Sequence, residues 1–198
     1  MNTRTTLKLN SAVLLVAIGL TPMLTSCSGD QAKVTALQSR VDSLMTIVNA
    51  HNAERAQVAA HLARFDSLDY LYYTGQKWDQ FHISHADNIE VTYPDGRKVN
   101  DLKVHTKDLE PMFVFAPDTR ITQHEIMFGS GEWTCVTGAI DGTFTQPMPI
   151  GNGKFIQPTG KPFHLLMCTV GKWKDGKMIA ENLFWDNQAL MNQIGLGQ

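Results

Sequence analysis

The sequence predicts an α+β fold in which a curved antiparallel sheet wraps around helices as a cone, behind a long N-terminal helix. Three observations predict it. Helical periodicity fills the stretch after residue 30, one short strand and one further helix come next, and four long strand-like runs close the chain. Helices first and long strands last segregate the layers, and a twisted sheet curling over its helices encloses a cavity. The 198 residues suit one domain with an appendage, and a net charge of -2 leaves no basic excess for phosphate backbones, so nucleic acid is not an expected partner.

Residues 1–26 read as a targeting segment, with Arg4 and Lys8 before an apolar run too short to cross a bilayer. Leu24-Thr25-Ser26-Cys27 follows and resembles the bacterial lipobox, which implies cleavage before Cys27, lipidation of its sulfur and an extracytoplasmic protein tethered to the membrane by its acyl chains. From Val34 the apolar residues Leu37, Val41, Leu44 and Val48 recur at alternating steps of four and three, the seam of a coiled coil. His51 and Arg55 interrupt that seam before Val58, Leu62 and Phe65 resume it. The expected division is therefore a helical stalk over residues 27–51 and a domain over residues 52–198, with a homodimer as the expected assembly.

Within the domain, the aromatic cluster Tyr70, Tyr72, Tyr73 and Trp78 reads as core and cavity lining, because no basic residues are interleaved with it. A short helix over residues 76–85 leads to a strand at residues 89–93, stopped by Pro94-Asp95-Gly96. Residues 102–116 are helical by pattern, with Met112 as a lining candidate and Pro111 expected to kink the helix or end it early. Long apolar runs follow at residues 119–128, 132–146 and 162–173. Asp175-Gly176 then supplies a tight hairpin turn into the last strand, and a short amphipathic helix over residues 187–194 ends at Gly195.

Counted with a period of two, Met178, Ala180, Asn182, Phe184 and Asp186 share one face of the last strand. That face is expected to line the cavity, with Asn182 and Phe184 as ligand contacts and Asp186 at its lip. Glu181, on the opposite face, reads as solvated or as part of a dimer interface. Trp133, Trp173 and Trp185 read as core, with Trp133 a candidate for facing the cavity. The seven histidines show no metal-ligand spacing; His82 and His85 near Asp87 come closest and read as polar residues at a helix end. Cys135 and Cys168 fall on neighbouring strands, as a bridge if their Cα atoms approach within about 7 Å or as two buried thiols.

The domain resembles the SnoaL-like polyketide cyclases, also called ester cyclases, of the nuclear transport factor 2-like and cystatin-like cone folds. The resemblance rests on His85-Ala86-Asp87-Asn88-Ile89, Tyr93-Pro94-Asp95-Gly96 and Phe115-Ala116-Pro117-Asp118-Thr119-Arg120. It continues through Gly142-Thr143-Phe144, Pro158-Thr159-Gly160-Lys161, Asp175-Gly176-Lys177-Met178 and Asp186. It implies an aspartate that serves as acid and base in an aldol closure of an aromatic polyketide, with no metal or organic cofactor, and places Asp186 in that role; a small hydrophobic or carbonyl compound is the expected ligand. The same residue also reads as the N-cap of the terminal helix. His164, His124 and Asn182 are candidates for steadying developing negative charge. Where many members of the family read Gly-Thr-His, this chain carries Phe144, a candidate ligand contact. Two further functions stay open: a lipoprotein that holds a small apolar ligand without turning it over, and a dimeric structural module of the envelope.

Overall fold

The computed structural model describes residues 28–197, so the targeting segment and Cys27 lie outside the described residues. The first helix, α1 (Ser28–Ser67), runs without interruption past His51 and Arg55. The chain divides into two units, the first ending at Leu44 and the second beginning at Met45. In the first, the described part is helix, and Val34, Leu37, Val41 and Leu44 on it are all exposed.

The second unit carries the domain. At the end of α1 the helix widens into a π-type turn over Leu68–Tyr73, in which the Thr74 N–H reaches five residues back to the Asp69 carbonyl. A 3₁₀ turn (Trp78–Ile83) then leads straight into β1 (His85–Thr92), so the expected helix over residues 76–85 is shorter and His85 belongs to a strand. After β2 (Lys98–Val99) comes α2 (Leu102–Phe115), started by Asp101, whose carboxylate accepts from the Lys103 and Val104 N–H groups. Pro111 lies inside α2 without ending it. The last turn is held by burial of Phe113 and Phe115 in the core, which offsets the lost backbone bond. Strands β3 (Arg120–Ser130), β4 (Trp133–Thr143), β7 (Pro162–Lys174) and β8 (Lys177–Trp185) are the four long runs. The Gly- and Pro-rich span between β4 and β7 holds a separate two-stranded hairpin, β5 (Met148–Pro149) with β6 (Phe155–Ile156). Helix α3 (Asn187–Gln193) follows β8.

The six-stranded sheet has the order β2-β1-β8-β7-β4-β3. The α+β class holds, and the sheet is mixed rather than antiparallel throughout, because β1 pairs in parallel with β8. That pairing brings the start of the domain beside its end, and it sets the wall of the cavity.

One irregularity decides which side chains face inward. Trp173 opposes Met178, but Lys172 opposes Ala180, so β8 carries an extra residue at Ile179. A bulge of one residue shifts every later side chain to the other face. Met178 points into the core, and after the bulge Glu181, Leu183 and Trp185 point inward while Asn182 and Phe184 point out. The face expected to line the cavity is therefore the outer one from Ala180 onward. That outer face carries exposed Ile126, Phe128, Leu166 and Phe184. Cys135 and Cys168 are free thiols on it, half-buried, with their sulfurs 3.6 Å apart; burial, together with the neighbouring Cys135, pushes the Cys168 thiol up to about 11.

Candidate functional site

A cavity of about 320 Å³ opens between the inner face of the sheet, α2 and the π-type turn. Most of its wall is apolar; Asp95, Arg97, Asp108 and Asn187 also border it, and four buried polar groups converge on it. Asp69 comes from the π-type turn, His85 from the start of β1, His105 from α2 and Glu181 from β8, and all four are buried. π-type turns are rare and concentrate where a side chain must be aimed, which is what this one does for Asp69.

Two polar clusters result. In the first, His124 of β3 has a fully buried imidazole between two carboxylates: Nδ1 lies 2.8 Å from Asp66 Oδ1 and Nε2 lies 2.9 Å from Asp69 Oδ2. Asp69 faces the cavity, whereas Asp66 is partly exposed, so the imidazole links an enclosed carboxylate to one that meets solvent. Burial raises the Asp69 pKa, opposed by His124. For His124, burial alone would lower the pKa, but the two carboxylates outweigh it and raise it.

A pH dependence follows from this cluster. His124 faces Asp66, Asp69 and the ring of Tyr70, stacked at 4.7 Å. Both His124 and Asp69 have folded-state pKa values above their ordinary ones, so the folded chain holds protons that the unfolded chain releases. The His124 contribution is complete below the ordinary value near 6.5 and is lost as pH rises through the folded value; the Asp69 contribution is lost over a lower interval starting above 3.8. Thermal melts between about pH 6 and pH 9 should show stability falling with pH in the natural protein and a flatter profile in His124→Gln.

In the second cluster, His85, His105 and Glu181 present one ligand atom each within 4.8 Å of one another. Glu181 Oε2 lies 3.2 Å from His105 Nε2 and 3.8 Å from His85 Nε2. Burial lowers His105 to about 4, partly opposed by Glu181. Burial would raise the Glu181 pKa, and the two imidazoles outweigh it and hold the carboxyl below its ordinary value. Behind His105, the Tyr93 hydroxyl donates to Asp108 Oδ2 at 3.1 Å, and Arg97 donates to the same oxygen at 2.8 Å. Among the described residues, His85, His105 and Glu181 are the group of ligating side chains placed closely enough to hold a metal ion.

The residues expected from sequence are distributed as follows. Asp186 is exposed and caps α3, its Oδ1 accepting from the Gln188 and Ala189 N–H groups, so of its two readings the cap is what the structure contains. His164 is exposed on the outer face and paired with Asp141 at 2.7 Å. Phe184 and Trp133 are exposed, Trp133 under the Lys172 ammonium, and Asn182 reaches back to the Val170 carbonyl. Phe144 is fully buried against Phe115 and does not reach the cavity. Trp78 packs behind the lining on Tyr73, Phe81 and Phe113. Tyr73 and Met112 do line the cavity, and His124 stands behind Asp69. Glu181, expected in solvent or at a dimer interface, is 4% exposed and faces inward, because the bulge reverses its side.

Sequence reasoning missed Asp69, His85, His105 and Glu181 as one group, yet three of them carried a signal. Asp69 extends the stripe Val58, Leu62, Phe65 by a further step of four. His105 occupies an apolar position in the series Leu102, His105, Leu109, Met112, and Glu181 alternates with Leu183 and Trp185. A polar residue at a position the periodicity reserves for the core is the informative exception.

The sequence profile of the SnoaL-like polyketide cyclases matches residues 67–194, which takes in Asp69, His124 and the whole of the second cluster. The chain belongs to this family. Among curated proteins none matches significantly by sequence. Among solved structures, a protein from Jannaschia sp. CCS1 assigned to the SnoaL-like polyketide cyclases is similar with a TM-score of 0.60 at 16% identity, covering 71% of this chain and 94% of its own. IdmH from Streptomyces antibioticus, assigned as a polyketide cyclase, is similar with a TM-score of 0.58 at 19% identity, covering 70% of this chain and 99% of its own. At these identities the likeness establishes the shared cone fold. The α1 residues before Ser67 lie outside the family match.

Proposed function

We propose that the domain binds a small, mostly apolar carbonyl compound and moves a proton on it, with Asp69 as the acid and base. The observation that carries this reading is the buried Asp69 carboxylate, facing an apolar cavity and connected through His124 to a carboxylate that meets solvent. A carboxylate with a raised pKa is a stronger base than one in water and returns the proton readily. Asp69 takes the proton from a carbon next to a carbonyl; the electron pair moves onto the carbonyl oxygen as an enolate. That carbon then attacks a second carbonyl in the same molecule, and the proton passes from Asp69 to the new alkoxide. The His124–Asp66 pair lets Asp69 exchange its proton with water between turnovers. The family supports a ring closure of this type by analogy, since a fold alone does not fix a reaction.

The test needs no knowledge of the natural substrate. Small aromatic β-diketones in deuterated buffer, followed by proton NMR, should exchange their activated C–H faster with the protein than without it. Mass spectrometry of whatever co-purifies with the domain then narrows the substrate class. Absence of any accelerated exchange across the panel, with the cavity shown to bind the compounds, would leave a ligand-holding function instead.

We also propose that the domain is tethered outside the cytoplasm through lipid on Cys27, supported by the lipobox Leu24-Thr25-Ser26-Cys27. Metabolic labelling with a fatty-acid analogue should mark the natural protein and not Cys27→Ser. Equal label in both would refute the anchor.

A further inference from the structure

We infer that His85, His105 and Glu181 form a binding site for a divalent first-row metal ion of the zinc class, held by two imidazole nitrogens and one carboxylate oxygen with the remaining position open to the cavity. This inference does not depend on the role proposed for Asp69.

The outer nitrogen of His85, Nδ1, lies 2.9 Å from Ser84 Oγ and 3.3 Å from the Phe81 carbonyl oxygen. A carbonyl only accepts, so the contact with Phe81 O is that of the tautomer with its proton on Nδ1, which leaves Nε2 a lone pair. The outer nitrogen of His105 lies 2.9 Å from the Tyr93 hydroxyl, which donates its own hydrogen to Asp108, so His105 Nδ1 is the donor there too. Each neutral imidazole has then committed its hydrogen away from the cavity. In these neutral tautomers both Nε2 atoms are acceptors beside the Glu181 carboxylate, a centre that a bound cation would satisfy and that protonation of a ring would satisfy only as an ion pair.

The geometry agrees with that accounting. His85 Nε2 and Glu181 Oε2 are buried and have no hydrogen-bond partner among the described residues. Buried polar atoms are nearly always satisfied, so two orphans facing each other call for a group that accepts lone pairs. Ligands about 2.0–2.1 Å from a tetrahedral zinc ion stand roughly 3.4 Å apart, and the separations here of 3.2 Å and 3.8 Å to Glu181 bracket that spacing. The outer shell also fits. Metal-ligating histidines almost always donate their second nitrogen to a carbonyl, a carboxylate or an intervening hydroxyl or water, which fixes the ring and raises its basicity. Here Phe81 O with Ser84 does this for His85, and Tyr93 with Asp108 does it for His105. Imidazole and carboxylate ligands without thiolate favour zinc and its neighbours over softer ions. Three protein ligands and an open position is the arrangement of sites that polarise a substrate oxygen, and the opening faces the cavity onto which Asp69 also looks.

The experiment uses the full chain, stripped of metal with a chelator and titrated with Zn²⁺ and Co²⁺. One equivalent of Zn²⁺ should bind with micromolar or tighter affinity and raise the melting temperature, and the Co²⁺ form should show visible ligand-field absorption. His105→Ala and Glu181→Gln should each weaken binding by more than about 100-fold, since loss of a ligand exceeds the roughly 10–100-fold expected from an outer-shell change. Ser84→Ala, a positioning change that leaves all three ligands in place, should fall within that lower range and guards against variants that fail to fold. Replacing Cys135 and Cys168 by Ser should leave binding intact. The inference is overturned if stripped protein takes up no Zn²⁺ at about 100 μM, or if the bound equivalent survives His105→Ala, which would place it on the thiols or elsewhere.

Discussion

Asp69→Asn is expected to slow protein-catalysed exchange on the β-diketone panel by about 10²- to 10⁴-fold, or roughly 3–5 kcal/mol in barrier height, while leaving affinity for the same compounds within a few-fold. The substitution is nearly isosteric. Its amide oxygen still accepts from His124 Nε2, the position that Asp69 Oδ2 holds at 2.9 Å, so the cavity wall should keep its shape. What it lacks is a group able to take a proton. The same change removes one of the two carboxylates that raise His124, so the fall of stability with rising pH should become shallower, as it does in His124→Gln. The two effects separate the readings. If exchange is lost but the slope is unchanged, Asp69 and His124 are not linked as the geometry implies; if the slope changes but exchange persists, the base lies elsewhere in the cavity.

How much of this was open to sequence reading depends on whether the signal is local. The Asp175-Gly176 turn was legible because tight turns demand positive φ, and those residues have φ of 51° and 74°. The cap at Asp186 and the four long strands were legible for the same reason, since each depends on neighbours along the chain. The face of β8 was not. Alternation is reliable only while the strand is regular, and the single extra residue at Ile179 exchanges inside for outside for everything after it. Nothing in Met178-Ile179-Ala180 announces a bulge, which is defined against the partner strand β7. The second cluster is non-local in a stronger sense. His85, His105 and Glu181 are brought together by the parallel pairing of β1 with β8 and by α2 packed across them, so no spacing rule links them. The histidine pair that spacing did suggest, His82 with His85, is split by the change from 3₁₀ turn to strand at Ser84.

Trp173→Ala is expected to cost about 3–5 kcal/mol of stability, measured by chemical denaturation, because the indole is fully buried and its removal leaves a large cavity. The indole also does two specific things. Its ring stacks on His61 of α1, with centroids 4.7 Å apart and planes 8° from parallel, and its N–H donates to Thr134 Oγ1 at 2.8 Å. Trp173→Phe restores much of the volume but strands the buried Thr134 hydroxyl without its donor, a loss of about 1–3 kcal/mol. Thr134→Val should therefore be costly in the natural protein and nearly free beside Trp173→Phe, a non-additivity expected of residues in direct contact. His61 carries the consequence further. Burial lowers its pKa and keeps the ring neutral, so the stack joins α1 to the sheet without a charge to solvate. About two turns further along the chain is Asp69. Loosening this stack should raise amide exchange through the end of α1 and the π-type turn, and so degrade the aim of the carboxylate, before the sheet itself unfolds.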